Sequence, residues 1–137
     1  MFVADTSAWA RAGRPGLRRE WERALERDQI VSCPIVQLEL LYSSRDAESF
    51  DAIAAGLAGI REAPVNRSVT RAATAAYREL AHRSPLFHRS VRLPDLLVAA
   101  AAADAGLGVL HYDADYDTLA EVLRFESRWL APRGSLD

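Results

Sequence analysis

The feature that most constrains this chain is an alternation of short apolar runs with longer stretches of helical period, with acidic residues where the runs stop. Phe2-Val3-Ala4 ends at Asp5, and Val109-Leu110 runs on to Asp113. Strand-like segments separated by amphipathic ones are the pattern of a parallel sheet with helical crossovers. In an open parallel sheet, ligands bind beyond the carboxyl ends of the strands, near a topological switch point. Two carboxylates are therefore expected at the edge where such sheets do their chemistry.

The remaining segments fit that frame. Asp5-Thr6-Ser7 offers N-cap chemistry after the first strand, and Pro15-Gly16 opens a helix in which Leu17, Trp21 and Leu25 recur every four residues. Gln29 to Ser32 reads as a second strand. Pro34 suits the first turn of the next helix, which carries Ile35, Leu38, Leu41 and Tyr42 on one side and Glu39 nearby. Phe50, Ile53, Leu57 and Ile60 form another stripe, and Ala63 to Val65 a short extended piece. Asn66 or Ser68 can cap a helix whose buried face is Val69, Ala73, Ala76 and Leu80. His82 to Arg92 reads as a loop, and Asp95 opens an alanine-rich helix that stops near Gly106. A strand over Val109 to Tyr112, a turn over Asp113 to Asp117, a helix over Thr118 to Leu123 and a last strand within Phe125 to Leu130 complete the chain.

With 137 residues, half of them apolar, the chain holds enough for one core and too little for two ordinary domains. Residues 1–137 are expected to form a single domain. The lone Cys33 excludes an internal disulfide and suits a reducing compartment. No apolar run approaches bilayer length and no leader pattern precedes Phe2, so the expectation is a cytoplasmic protein with no membrane contact. All seventeen basic residues are arginine. The absence of lysine removes P-loop and Schiff-base chemistry, each of which needs a lysine nitrogen.

Singly, each acid has an ordinary reading. Asp5 and Asp95 stand where helix caps stand, Glu39 where a solvated helix residue would, and Asp113 in a turn. Together they are harder to dismiss. A parallel sheet projects Asp5 and Asp113 from one edge, sets Asp95 at a neighbouring helix start, and lets Glu39 face the same mouth. Two carboxylates about 4 Å apart repel by roughly 4 kcal/mol at an effective dielectric near 20. Such a cluster protonates, distorts or binds a cation. Oxygen ligands without cysteine or paired histidine favour Mg²⁺, with Mn²⁺ as an alternative. Ions of this kind activate water and neutralise charge on a phosphate.

These residues carry a resemblance. Val3-Ala4-Asp5-Thr6-Ser7, Glu39 within Val36 to Leu41, Pro94-Asp95-Leu96-Leu97-Val98-Ala99-Ala100 and Tyr112-Asp113-Ala114-Asp115-Tyr116 together resemble the PIN-domain ribonucleases, within them the VapC-type toxins. The likeness implies an α/β fold, a three-layer α/β/α sandwich around a parallel sheet of four to five strands. It implies a metal pocket of Asp5, Glu39, Asp95 and Asp113, with Asp115 as a supporting ligand and Ser7 bonding at the pocket floor. It further implies an Mg²⁺-dependent endoribonuclease that cleaves structured RNA (tRNA or rRNA), a VapB-type antitoxin as partner, and a homodimer. The alternatives are a PIN nuclease of RNA processing outside any toxin pair and a catalytically silent RNA- or protein-binding module. His111 departs from the family, which often carries threonine there, and reads as a plain strand histidine. Asp117 reads as a surface turn or cap residue.

Overall fold

A computed structural model describes residues 1–137. Four strands, β1 (Phe2–Ala4), β2 (Ile30–Val31), β3 (Gly108–His111) and β4 (Ser127–Trp129), form one sheet in the order β2-β1-β3-β4. Every pairing is parallel. The helices are α1 (Thr6–Trp9), α2 (Arg18–Glu26), α3 (Pro34–Tyr42), α4 (Ala47–Leu57), α5 (Arg67–Arg83), α6 (Leu93–Asp104) and α7 (Asp115–Leu119). The chain steps from β1 to one side through α1 and α2, and later lays β3 on the other side. The switch point therefore lies between β1 and β3, the two strands that end in Asp5 and Asp113.

The short strands read alternately to the two faces of the sheet. Val3, Val31 and Val109 point to the face covered by α3, α5, α6 and α7. Ala4, Ile30 and Leu110 point to the thinner layer of α1 and α2, where Ala8, Ala12 and Trp21 meet them. The result is the α/β/α sandwich expected. In α6 the fully buried Ala99 to Ala102 present only methyl groups, so α5 and the sheet approach its backbone closely. The α5 face expected from the sequence, Val69, Ala73, Ala76 and Leu80, is buried as a unit, and Asn66 caps that helix by accepting the Val69 N–H at 3.1 Å. A Cβ on Gly108 would lie 2.6 Å from the Phe2 ring and 2.9 Å from the Glu126 carbonyl, so the β1–β3–β4 register requires glycine there.

Three segments differ from expectation. The loop over His82 to Arg92 is shorter than expected. α5 runs to Arg83, and a 3-10 turn at Phe87–Ser90 forms after Leu86 takes a left-handed φ of 63°. Phe87 packs on the main core, and the Ser90 hydroxyl donates to the Phe87 carbonyl at 2.7 Å. The helix expected from Thr118 begins at Asp115 instead, after an Asx turn in which Asp113 Oδ1 accepts the Asp115 N–H at 2.9 Å. In α3 the buried residue is Val36, whereas Leu38 and Tyr42 are 63% and 92% exposed and Phe50 of α4 is 44% exposed. No helix is long and apolar enough to cross a membrane.

Candidate metal centre

At the carboxyl edge of β1 and β3, carboxylate oxygens of Asp95, Asp113 and Asp115 lie within 4.8 Å of one another. Each is fixed by its own local structure. Asp95 is the third residue of α6, just after Pro94 in its first turn. Asp113 forms the Asx turn that leads into α7. Asp115 reaches back to the first turn of α6, where its Oδ2 accepts the Arg92 N–H at 3.1 Å. Ionised together, neighbours at this spacing repel by on the order of 3 kcal/mol per pair, and that cost persists only where something offsets it.

Asp5 stands beside this group and is held rather than free. Its Oδ2 accepts from the Ser7 N–H at 3.0 Å and from the Ser7 hydroxyl at 2.5 Å. The Ser7 oxygen in turn accepts the Tyr112 N–H at 2.9 Å, which ties the end of β1 to the end of β3. Its Oδ1 accepts from the Tyr116 hydroxyl at 2.6 Å, and that hydroxyl oxygen is 3.4 Å from Asp95 Oδ1. Burial holds the Tyr116 phenol well above its usual range, with the Asp5 and Asp95 charges adding to it, so it remains a donor. Glu39 joins less directly. Its Oε1 accepts from Thr6 Oγ1 at 2.9 Å, and its Oε2 is 3.6 Å from the Arg92 guanidinium. The structure thus gathers Asp95, Asp113 and Asp115 into one donor set, links Asp5 to it through Tyr116, and sets Glu39 at the rim.

Asp95 is the electrostatic centre of the arrangement. It is 2% exposed, and its Oδ2 is buried with no hydrogen-bond partner. A helix start and a nearby arginine both favour the ionised form. They lose. Burial first, then the contact with the Asp115 carboxyl and the charges of Asp5 and Asp113, push this carboxyl up to about 8. A buried, unpartnered carboxylate oxygen facing two further carboxylates is a poor structural element and a good cation ligand. The oxygen-only donor set fits a hard divalent cation.

Sequence reasoning missed four residues: Tyr116, Thr6, Arg92 and His111. Tyr116 carried a signal, because a tyrosine rather than phenylalanine at a core position demands a partner for its hydroxyl. His111 is fully buried. Its Nδ1 accepts the Asp113 N–H at 3.1 Å, so Nε2 carries the proton and donates to Ser127 Oγ at 2.7 Å. Ser127 donates to Asp117 Oδ1 at 2.7 Å, and Trp129 Nε1 donates to Asp117 Oδ2 at 2.9 Å. Far from a plain strand residue, His111 sets the backbone that presents Asp113. Asp117 is a joint between α7 and β4, more than a surface turn residue.

A parallel α/β sandwich with a carboxylate cluster at its switch point defines the class. The PIN domain family model matches residues 2–122, and the chain belongs to that family. It is 45% identical over 136 residues to Ribonuclease VapC18 of Mycobacterium tuberculosis, covering 99% of both chains. It is 36% identical to Ribonuclease VapC51 of the same organism, covering 99% of this chain and 97% of that one. Among solved structures, DNA-bound VapBC from Salmonella typhimurium shares the fold, with a TM-score of 0.72 at 16% identity over 95% of this chain and 98% of that one. The chain is thus a PIN-domain nuclease of the VapC type.

Proposed function

We propose that this protein is the toxin of a toxin–antitoxin pair, a single-domain cytoplasmic endoribonuclease that depends on Mg²⁺, with Mn²⁺ able to replace it. Its substrate is structured RNA, tRNA or rRNA, and a VapB-type antitoxin neutralises it. The observation that carries the reading is the buried, unpartnered Oδ2 of Asp95 beside Asp113 and Asp115 at the switch point. When bound there, a divalent ion supplies charge neutralisation at the scissile phosphate and an acidified water.

In this reading Asp95, Asp113 and Asp115 hold the ion, and Asp5, oriented by Ser7 and Tyr116, completes the pocket. Glu39, half-buried at the rim and held by Thr6, is positioned to take a proton from water entering the mouth. The partner assignment is supported by the exposed apolar face of Leu38, Tyr42 and Phe50. It is also supported by structural neighbours described as VapBC complexes. The same face suits a homodimer contact.

The test is brief induction of the wild type, Asp5→Ala and Asp95→Ala, with growth and RNA 5′ ends recorded. Wild type alone should arrest growth and generate new, discrete 5′ ends. Equal toxicity of both variants would overturn the site.

A further inference from the structure

A cavity of about 640 Å³ lies away from the acids. It is a groove between α2 and the β4 side of the sheet. One wall carries Arg19, Arg23 and Arg27, and Arg128 stands on the strand side. The three helix arginines fall at i, i+4 and i+8, so they form one row with about 6 Å between successive residues. All three are exposed, and none is among the five ion pairs of the protein. Like charges four apart on a helix repel, and no ion pair of the protein neutralises this row. Arg128 is shared, since it pairs with Glu126 at 2.8 Å and stacks over the Phe2 ring at 4.3 Å. A single acid, Glu20, lines the groove.

The floor is apolar and aromatic, with Phe2, Trp21, Leu110 and Trp129. Trp129 also borders a smaller cleft of about 230 Å³ that contains Asp113, Arg11, Tyr112 and Arg133. There Arg11 stacks on Tyr112 at 4.6 Å. Trp129 thus lines both the groove and the cleft, and the cleft lining includes Asp113 of the acid cluster. A cationic rail over aromatic surface is the arrangement that tracks single-stranded nucleic acid, with phosphates on the arginines and bases on the rings.

We propose that the α2 groove is the docking track for an unpaired RNA segment flanking the cleavage point. Successive phosphates lie along Arg19, Arg23 and Arg27, and the strand reaches the acids past Trp129 and Tyr112. The proposal rests on the ribonuclease reading and extends it, because it assigns substrate binding to a surface remote from the cut.

The test uses the full chain and a labelled 15-nucleotide single-stranded RNA of mixed sequence, read by fluorescence anisotropy in EDTA so that nothing is cleaved. Arg19→Gln/Arg23→Gln/Arg27→Gln should weaken binding at least tenfold at low salt. It should also flatten the slope of log affinity against log salt by about 2, since each phosphate contact on a single strand contributes roughly 0.7. Mn²⁺ binding at the acids should be unchanged, which excludes a general loss of structure. Trp129→Leu, read the same way, should weaken binding without changing the slope. Parent-like RNA affinity in the triple variant overturns the proposal. So does a triple variant that binds RNA normally but loses a protein partner, because the groove would then serve that partner. Because binding is read without cleavage, a parent protein that uses the groove yet never cuts RNA would count against the ribonuclease reading alone.

Discussion

The Tyr116 hydroxyl donates to Asp5 Oδ1 at 2.6 Å, joining residues 111 positions apart at the floor of the acid cluster. The phenol is fully buried and burial holds it well above its usual range, so it stays the donor of this bond. Tyr116→Phe keeps the ring and removes the bond. Stability should fall by about 1–3 kcal/mol, the cost of a buried acceptor left unsatisfied. Mn²⁺ affinity should drop by about 10–100-fold, as for other partners that orient a ligand. Calorimetric titration and urea unfolding read the two effects, and an unaltered Mn²⁺ affinity would count against a role for this bond in cation binding.

Asp95 gives the metal-free protein an unusual dependence on pH. Its folded pKa, about 8, lies above the unfolded value, so folding takes up a proton. The stability linked to this group is complete below about pH 4 and is lost as pH rises towards 8, at up to about 1.4 kcal/mol per unit. In EDTA at pH 8, Asp95→Asn should therefore be more stable than the parent, by about 2 kcal/mol or more. Saturating Mn²⁺ should reverse that order, because only the parent gains the ion. Thermal unfolding of both proteins with and without Mn²⁺ tests this, and a less stable variant in EDTA would contradict it.

His111 acts in the opposite direction. Burial holds its imidazole below the usual value, although nearby Asp117 and Asp5 oppose this. The stability it contributes is present above the unfolded pKa, near 6.5, and is lost as pH falls through the lower folded value. His111→Phe should lose the two ring hydrogen bonds, destabilise the fold by about 2 kcal/mol and flatten the acid limb of the stability profile. A double-mutant cycle with Ser127→Ala measures how far the two act as one chain.

The exposed Leu38 and Tyr42 predict a different kind of outcome. Leu38→Glu/Tyr42→Asp should leave the thermal midpoint within a few degrees of the parent, because neither side chain is in the core. Self-association, or retention by a co-expressed antitoxin, should be lost. Light scattering and co-purification distinguish the two, and full retention of both would rule this face out as an interface.

The strands themselves were legible as short apolar runs, in which Val3, Val31 and Val109 alternate with Ala4, Ile30 and Leu110 across the two faces. The candidate acids were legible for a similar reason, as carboxylates just past strands or at helix starts. What stayed hidden was connection. Nothing in the spacing says that Tyr116 bonds to Asp5, or that His111 serves the Asp113 backbone, because those contacts depend on β1 and β3 being neighbours. The Asp115 helix start was missed because an Asx turn at Asp113 leads straight into it, and an Asp-rich segment reads equally well as a turn. Arg19, Arg23 and Arg27 of α2 can be read off the sequence at a spacing of four. Only the groove opposite gives that row its meaning.

β1 lies between two strands that follow it in the chain, with β2 beginning at Ile30 and β3 at Gly108. During synthesis Asp5 emerges early, while the strand that brings Asp113 beside it arrives more than a hundred residues later. A nascent chain therefore carries the first carboxylate without the others and has no cation cage to load. Translation order itself delays the appearance of any reactive centre until the segment that carries Asp113 has left the ribosome, the RNA-rich machine closest at hand.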